Sequence, residues 1–258
     1  MKKINISVVS YLNTLPFIYG LENYFFAEKG NLFKDTPAEC ALKITNNIAD
    51  VGLIPVAAIN GLSESYIISD YCIGSKGKVN SVLLLSDVPL EKIKFIFTDY
   101  QSRTSVLLLK ILLHHHWHCS PLFLESSAGY EELIKNDTAG LVIGDRALLL
   151  QKKYQYAYDL SEAWYEMTSL PFVFACWVAN KKLPDQFILN FNNALKYGMN
   201  HLKEAVNEYD KKYFSQTEIK NYLTNSISYS FDAEKKKAMK LFFEMVSREE
   251  KIAARESV

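Results

Sequence analysis

The chain has 258 residues, of which 49% are apolar and 22% charged, with 29 Lys and Arg set against 29 Asp and Glu. That length supports one large domain or two modest lobes with separate cores, and the composition excludes a disordered or fibrous chain. A neutral balance gives no electrostatic footprint for nucleic acid or a membrane surface, so a small-molecule partner is expected, served by a locally charged pocket.

Residues 4–9 predict a first strand, and Met1 to Ile6 run into it with no apolar leader or small-residue cleavage site. No apolar run approaches the roughly 20 residues that span a bilayer, and a cytoplasmic location is expected. Ser10 to Thr14 are turn-rich, and a helix is predicted from Pro16 to about Phe26, where proline suits the first turn. Cys40 to Ile44 read as a second strand followed by a short helix, and residues 49–55 as a buried strand closed by a loop. Further strands are predicted at Ser81–Leu85 and Ile93–Phe97, then a loop over Asp99–Arg103 and a helix over Thr104–His116. Gly140 to Gly144 form the next strand, Asp145 opens a helix over Arg146–Lys152, and Phe172–Val178 is another strand. From Pro184 the pattern is helical, near 184–204, 216–224 and 232–252.

Alternating β and α units imply an α/β fold with mainly parallel sheets covered on both faces. The middle of the chain has a βαβ pattern of its own. Two lobes are therefore expected, the first from residues 1–90 plus 178–258 with the C-terminal helices, the second from residues 91–177. Ligands on such sheets bind beyond the carboxyl ends of strands, which points to the space between lobes.

Three strand-to-helix junctions hold small polar side chains: Ser10, Tyr11 and Asn13; Ser102, Arg103, Thr104 and Ser105; and Gly144 with Asp145. Backbone N–H groups at helix starts favour anions, hydroxyls add donors, and Arg103 can hold a carboxylate with two parallel hydrogen bonds. Each junction also has a plainer reading, in which Ser102 or Thr104 caps its helix and Arg103 is solvated. His114 and His118 have the spacing of a helical metal pair, but no glutamate or third ligand accompanies them in sequence. They read as the end of an amphipathic helix, and no metal is expected. Cys40, Cys72, Cys119 and Cys176 are too scattered for a disulfide framework or a zinc site. Lys235 to Lys237 and Arg248 to Lys251 read as a solvated face. No P-loop, GxGxxG or GxSxG is present, and no cofactor is expected.

Read as strings, Ser10 to Pro16, Asp50 to Pro55, Ser102 to Ser105, Ile143 to Leu148, Asp159-Leu160 with Trp164, and Leu170 to Ala175 with Trp177 stand in a familiar order. This ordered set resembles the chorismate dehydratase family of the futalosine route to menaquinone, and covers residues 6 to about 180. The resemblance implies a periplasmic-binding-protein-like (type II) fold with a helical C-terminal tail, and the dehydration of chorismate to 3-[(1-carboxyvinyl)oxy]benzoate. It implies Asn13 as the catalytic residue that orients the reacting groups. Ser10, Tyr11, Ser81, Ser102, Arg103, Thr104, Ser105 and Asp145 would bind substrate. The proton acceptor stays open between Asp145 and the substrate's own enolpyruvyl carboxylate. The sister 1,4-dihydroxy-6-naphthoate synthase, a solute-binding protein for a small anion and the sensing domain of a regulator are the alternatives. A homodimer is one assembly the tail helices could serve.

Overall fold

The computed structural model describes residues 3–24, 29–210 and 213–256, with side chains to residue 251. In chain order the elements begin with β1 (Ile4–Val9), α1 (Leu15–Asn23), β2 (Lys29–Asp35), α2 (Pro37–Thr45), β3 (Val51–Pro55), α3 (Val56–Ile59) and β4 (Tyr66–Ser75). Next come β5 (Val82–Ser86), β6 (Phe95–Phe97), α4 (Arg103–Leu112), β7 (Leu122–Leu124), β8 (Thr138–Ile143), α5 (Gly144–Leu150), β9 (Tyr156–Asp159) and α6 (Leu160–Thr168). The last are β10 (Phe172–Ala179), α7 (Asp185–Asn200), α8 (Leu202–Glu208), α9 (Gln216–Asn225), β11 (Ser228–Ser230) and α10 (Ala233–Glu256). The expected end of the first helix, at Phe26, lies outside the described residues.

Two compact units result: Met1–Gly74 with Phe174–Phe231, and Ser75–Val173 with Asp232–Val258. The first holds a six-stranded sheet in the order β11-β4-β10-β3-β1-β2. Its strands β2, β1 and β3 are parallel, as expected, whereas β10 lies antiparallel to β3 and β11 antiparallel to β4. The second holds a five-stranded sheet in the order β7-β6-β8-β5-β9. There β6 is parallel to β7 and β8, and β5 runs antiparallel to both of its neighbours. Both sheets are thus mixed rather than mainly parallel. Strands such as β5 and β10, reached when the chain changes unit, have no helical crossover to turn them into the common direction.

The division also moves the expected boundaries. β5 pairs only within the second sheet, so the chain leaves the first unit at residue 74 rather than 90. The tail is shared: α7, α8 and α9 belong to the first unit, β11 interrupts the helical run, and α10 belongs to the second. Phe242 of α10 explains its allegiance, since its ring lies 5.2 Å from Phe172 and 6.3 Å from Trp164, all three fully buried. The expected solvated face of α10 fails at Lys235, a 2% exposed residue whose ammonium reaches Asp232 at 3.3 Å.

The predicted strand at Cys40–Ile44 is instead helix α2. Thr36 and Glu39 form a reciprocal capping box, Pro37 occupies the first turn, and Pro37, Cys40 and Ile44 recur at helical spacing on the buried face. The strand that pairs with β1 is β2, just upstream.

Helix α1 is pinned by α7. A Cβ on Gly20 would meet the Ala194 carbonyl oxygen at 2.0 Å, and one on Gly198 would meet the Pro16 carbonyl oxygen at 1.8 Å. Only glycine at both places lets the two backbones approach so closely, and the contact fixes where α1 begins.

Candidate functional site

The β1–α1 junction belongs to the first unit. Its single 3₁₀ turn, Leu12–Thr14, is held by the Thr14 hydroxyl, which donates to the carbonyls of Val9 and Tyr11. From the other side the hydroxyl of Tyr229, on β11, donates to the Asn13 backbone carbonyl at 2.9 Å. Burial pushes the Tyr229 phenol well above its usual range, so it remains a donor. Its ring packs edge-on against Phe17 at 5.2 Å. Asn13 thus has a fixed backbone, yet its Oδ1 is buried and receives no hydrogen bond from any described residue. Buried acceptors are nearly always satisfied, so this oxygen is available to a ligand or a water. The indole Nε1 of Trp177 is the other such atom among the described residues.

Ser10 is exposed and its N–H is tied to the Asp35 carbonyl at 2.8 Å, while Tyr11 is half-buried. Both line a cavity of about 320 Å³ with Tyr19, Glu22, Lys34 and Glu208. Lys34 is paired with Glu22 at 2.8 Å, so this cavity has no uncommitted cation for an anionic ligand.

In the second unit, Ser102 caps α4: its Oγ accepts the Ser105 N–H at 3.1 Å, and its hydroxyl donates to Ser105 Oγ at 2.8 Å. Ser102 thus caps its helix, and Thr104 is buried inside the first turn. Arg103 stands at the first position of α4, exposed and with no ion pair among the described residues. An uncommitted guanidinium beside capped helix N–H groups suits a carboxylate.

Ser81 precedes β5, and Asp145 follows the end of the neighbouring strand β8. The Gly144 N–H donates to the Ser81 carbonyl at 2.8 Å, and Gly144 has φ +64°, a conformation that suits glycine at this sharp strand-to-helix turn. Ser81 is buried and Asp145 half-buried in the first turn of α5.

Sequence reasoning missed the residues that hold these junctions. Asp159 Oδ2 accepts N–H groups from Val79 and Asn80 at 2.9 and 2.7 Å, while Oδ1 accepts those of Ser161 and Glu162 at 3.0 and 3.2 Å. One carboxylate thus caps α6 and clamps the turn leading to Ser81. Burial raises its pKa, and the four N–H groups oppose that rise. Asp99, just after β6, accepts from Arg146 at 2.6 Å, from the Tyr130 hydroxyl at 3.0 Å and from the Gln101 N–H at 2.8 Å. Arg146 also donates to Glu131. Burial raises the Asp99 pKa against the pull of Arg146, and the pair locks the loop before Ser102 to helix α5. A lone Asp at a strand end gives no signal of either role, although Asp159 opening the apolar helix α6 is an N-cap pattern.

The sequence-chosen residues fall into two sets, each assembled within its own unit: Ser10, Tyr11 and Asn13 in the first, and Ser81, Ser102, Arg103, Thr104, Ser105 and Asp145 in the second. His114 and His118 do not form the metal pair that their spacing allows, because His118 ends the helix at φ 53° and turns its ring to the His114 carbonyl at 3.1 Å. No helix among the described residues is long and apolar enough to cross a membrane.

A family model described as menaquinone biosynthesis matches residues 4–248. The chain is 26% identical over 227 residues to a chorismate dehydratase of Thermus thermophilus, covering 80% of this chain and 81% of that one. Its fold is similar to the crystal structure of a protein from Archaeoglobus fulgidus, with a TM-score of 0.78 at 15% identity over 96% of this chain and 97% of that one. It is also similar to a Candida albicans protein described as having the generic periplasmic binding protein fold, with a TM-score of 0.62 at 12% identity over 96% and 94% of the two chains. The fold is thus α/β of the periplasmic-binding-protein type, with a helical C-terminal segment.

Proposed function

The chain belongs to the menaquinone biosynthesis family, and from that premise we propose that it is a chorismate dehydratase, converting chorismate to 3-[(1-carboxyvinyl)oxy]benzoate and water. The observation that carries the proposal is the Oδ1 of Asn13, buried with no hydrogen-bond partner among the described residues, at the junction where the sequence resembles that family. Chorismate is a dianion with one ring hydroxyl. Loss of that hydroxyl with the neighbouring ring proton places the C–H electron pair in the ring and completes the aromatic system. Aromatisation supplies the driving force, so the protein's task is to hold the carboxylates and fix one conformer.

Asn13 is the catalytic residue in this reading, orienting the departing hydroxyl or the group that takes the ring proton. Ser10 and Tyr11 contact the substrate from the same turn. Arg103 takes one carboxylate, supported by Ser102, Thr104, Ser105 and the α4 N-terminus. Ser81 and Asp145 complete the binding set. A carboxylate such as Asp145 would be repelled by the dianion unless protonated, so the proton goes to the substrate's enolpyruvyl carboxylate. Water leaves with the hydroxyl oxygen and one proton. This activity carries with it a cytoplasmic location.

The test is incubation of purified protein with chorismate, with products followed by chromatography and mass. Loss of one water with an aromatic enol ether as product supports the proposal. Unchanged chorismate with folded protein refutes it and turns attention to the sister synthase, or to simple anion binding.

A further inference from the structure

The helix that carries His114 changes its winding before it ends. After Leu112 the α-helical pattern gives way to a π-turn over Leu113–Trp117, a rare arrangement that often marks a functional position. In an α-helix consecutive side chains point about 100° apart. Here the rings of His114 and His115 stack with centroids 4.4 Å apart and planes 24° from parallel. His114 presents Nδ1 and His115 presents Nε2 to the same oxygen, Glu249 Oε1, at 2.9 and 2.8 Å. Glu249 lies near the end of α10, 134 residues beyond His115, and both elements belong to the second unit. The three ligand atoms lie within 4.8 Å of one another, the single group of three such ligands found among the described residues.

We propose that His114, His115 and Glu249 form a binding site for a zinc-like divalent transition metal, which fastens the end of α10 to the π-turn. Two imidazoles and one carboxylate are the donor set of open zinc sites, with water in the fourth position. Bonds of about 2.0–2.1 Å to a tetrahedral ion need ligand atoms roughly 3.3 Å apart, so the two contacts of Glu249, at 2.9 and 2.8 Å, have to widen by about half an ångström. All three side chains retain some solvent access, with 52%, 34% and 19% exposure, and a hydrated ion can reach them. His116, which faces Glu166 at 3.4 Å, and His118, turned to a backbone carbonyl, are outside the set. Their exclusion separates a built site from a run of surface histidines. The inference is independent of the dehydratase reading, and its test requires no substrate.

The experiment is titration of tag-free protein with Co²⁺, read by its visible absorption, followed by displacement with Zn²⁺. One equivalent bound at ~10⁻⁵ M protein is expected, and Zn²⁺ at a hundred times its Kd should raise Tm by roughly 5–10 °C. His115→Ala and Glu249→Gln should each weaken binding at least tenfold, while His116→Ala and His118→Ala leave it unchanged. Absence of stoichiometric binding overturns the proposal. So does a loss of less than tenfold in the first two variants, or an equal loss in all four.

Discussion

Replacing Asn13 by leucine should make the free protein more stable and leave it inactive. The Oδ1 of Asn13 is buried without a protein donor, and an unsatisfied buried polar atom costs about 1–3 kcal/mol. Leucine has nearly the same shape and removes that cost, while the bond from Tyr229 to the Asn13 carbonyl uses only the backbone. The expected gain is therefore about 1–3 kcal/mol, which at roughly 2–4 °C per kcal/mol for a chain near this size is a rise in Tm of roughly 2–12 °C. Removing one preorganised polar group from a reacting centre lowers turnover by about 10²–10³-fold. Calorimetry and chorismate turnover on the same preparation give both numbers. A variant destabilised by 1 kcal/mol or more would show that the oxygen is satisfied in the free protein. Full turnover would remove Asn13 from the chemistry. The paired outcome distinguishes a residue kept for function from one kept for structure, since structural residues lose stability and activity together.

Arg103→Ala should raise KM for chorismate at least tenfold and move stability by no more than about 0.5 kcal/mol, because the side chain is exposed and has no ion pair among the described residues; an unchanged KM would free Arg103 from substrate binding. Asp159→Ala should cost about 3 kcal/mol by urea unfolding, combining a lost helix cap with N–H groups left without acceptors at Val79 and Asn80. A loss below 1 kcal/mol would refute the clamp. Among the thiols, Cys119 is the least buried and should react first with an aromatic disulfide reagent, with Cys40, Cys72 and Cys176 reacting only on unfolding. Burial pushes the Cys40 thiol up to about 12 from 9.0. Its folded pKa lies above the unfolded one, so the stability it contributes is complete below pH 9 and falls by about 1.4 kcal/mol per pH unit towards pH 12. Cys40→Ala should lose less stability than wild type over that window, and identical alkaline losses would contradict the assignment.

Strands rich in β-branched residues are legible in the sequence: β1 has the expected bounds, and β3 starts two residues later than the expected 49–55. α2 differs from the expected strand because Cys-Ala-Leu-Lys-Ile is a short, nearly continuous apolar run, which does not separate a strand from a buried helix, although the capping box at Thr36 and Glu39 is present in the sequence. β4 escaped because polar Ser69 and Asp70 break its apolar run, and they are accommodated by Asn192 from α7, whose carbonyl oxygen accepts the Ser69 hydroxyl and the Asp70 N–H. The capping role of Ser102 was legible because it is local. The roles of Asp99 and Asp159 are legible only in part: Asp159 opening α6 is an N-cap pattern, whereas the contacts to Val79, Asn80 and Arg146, 47 to 80 residues away, leave no local mark.

The way the chain alternates between units also sets an order on its birth. The first unit cannot close until β11 is made, and the second waits for α10, whose Phe242 fills the space between Trp164 and Phe172. Domains usually fold as they leave the ribosome, N-terminal ones first. Here each core waits for a segment that returns late in the chain, β11 for the first and α10 for the second, so the two mature close together. Until α10 is made, Trp164 and Phe172 lack the Phe242 ring that packs on them, and the nascent second unit keeps that apolar surface open.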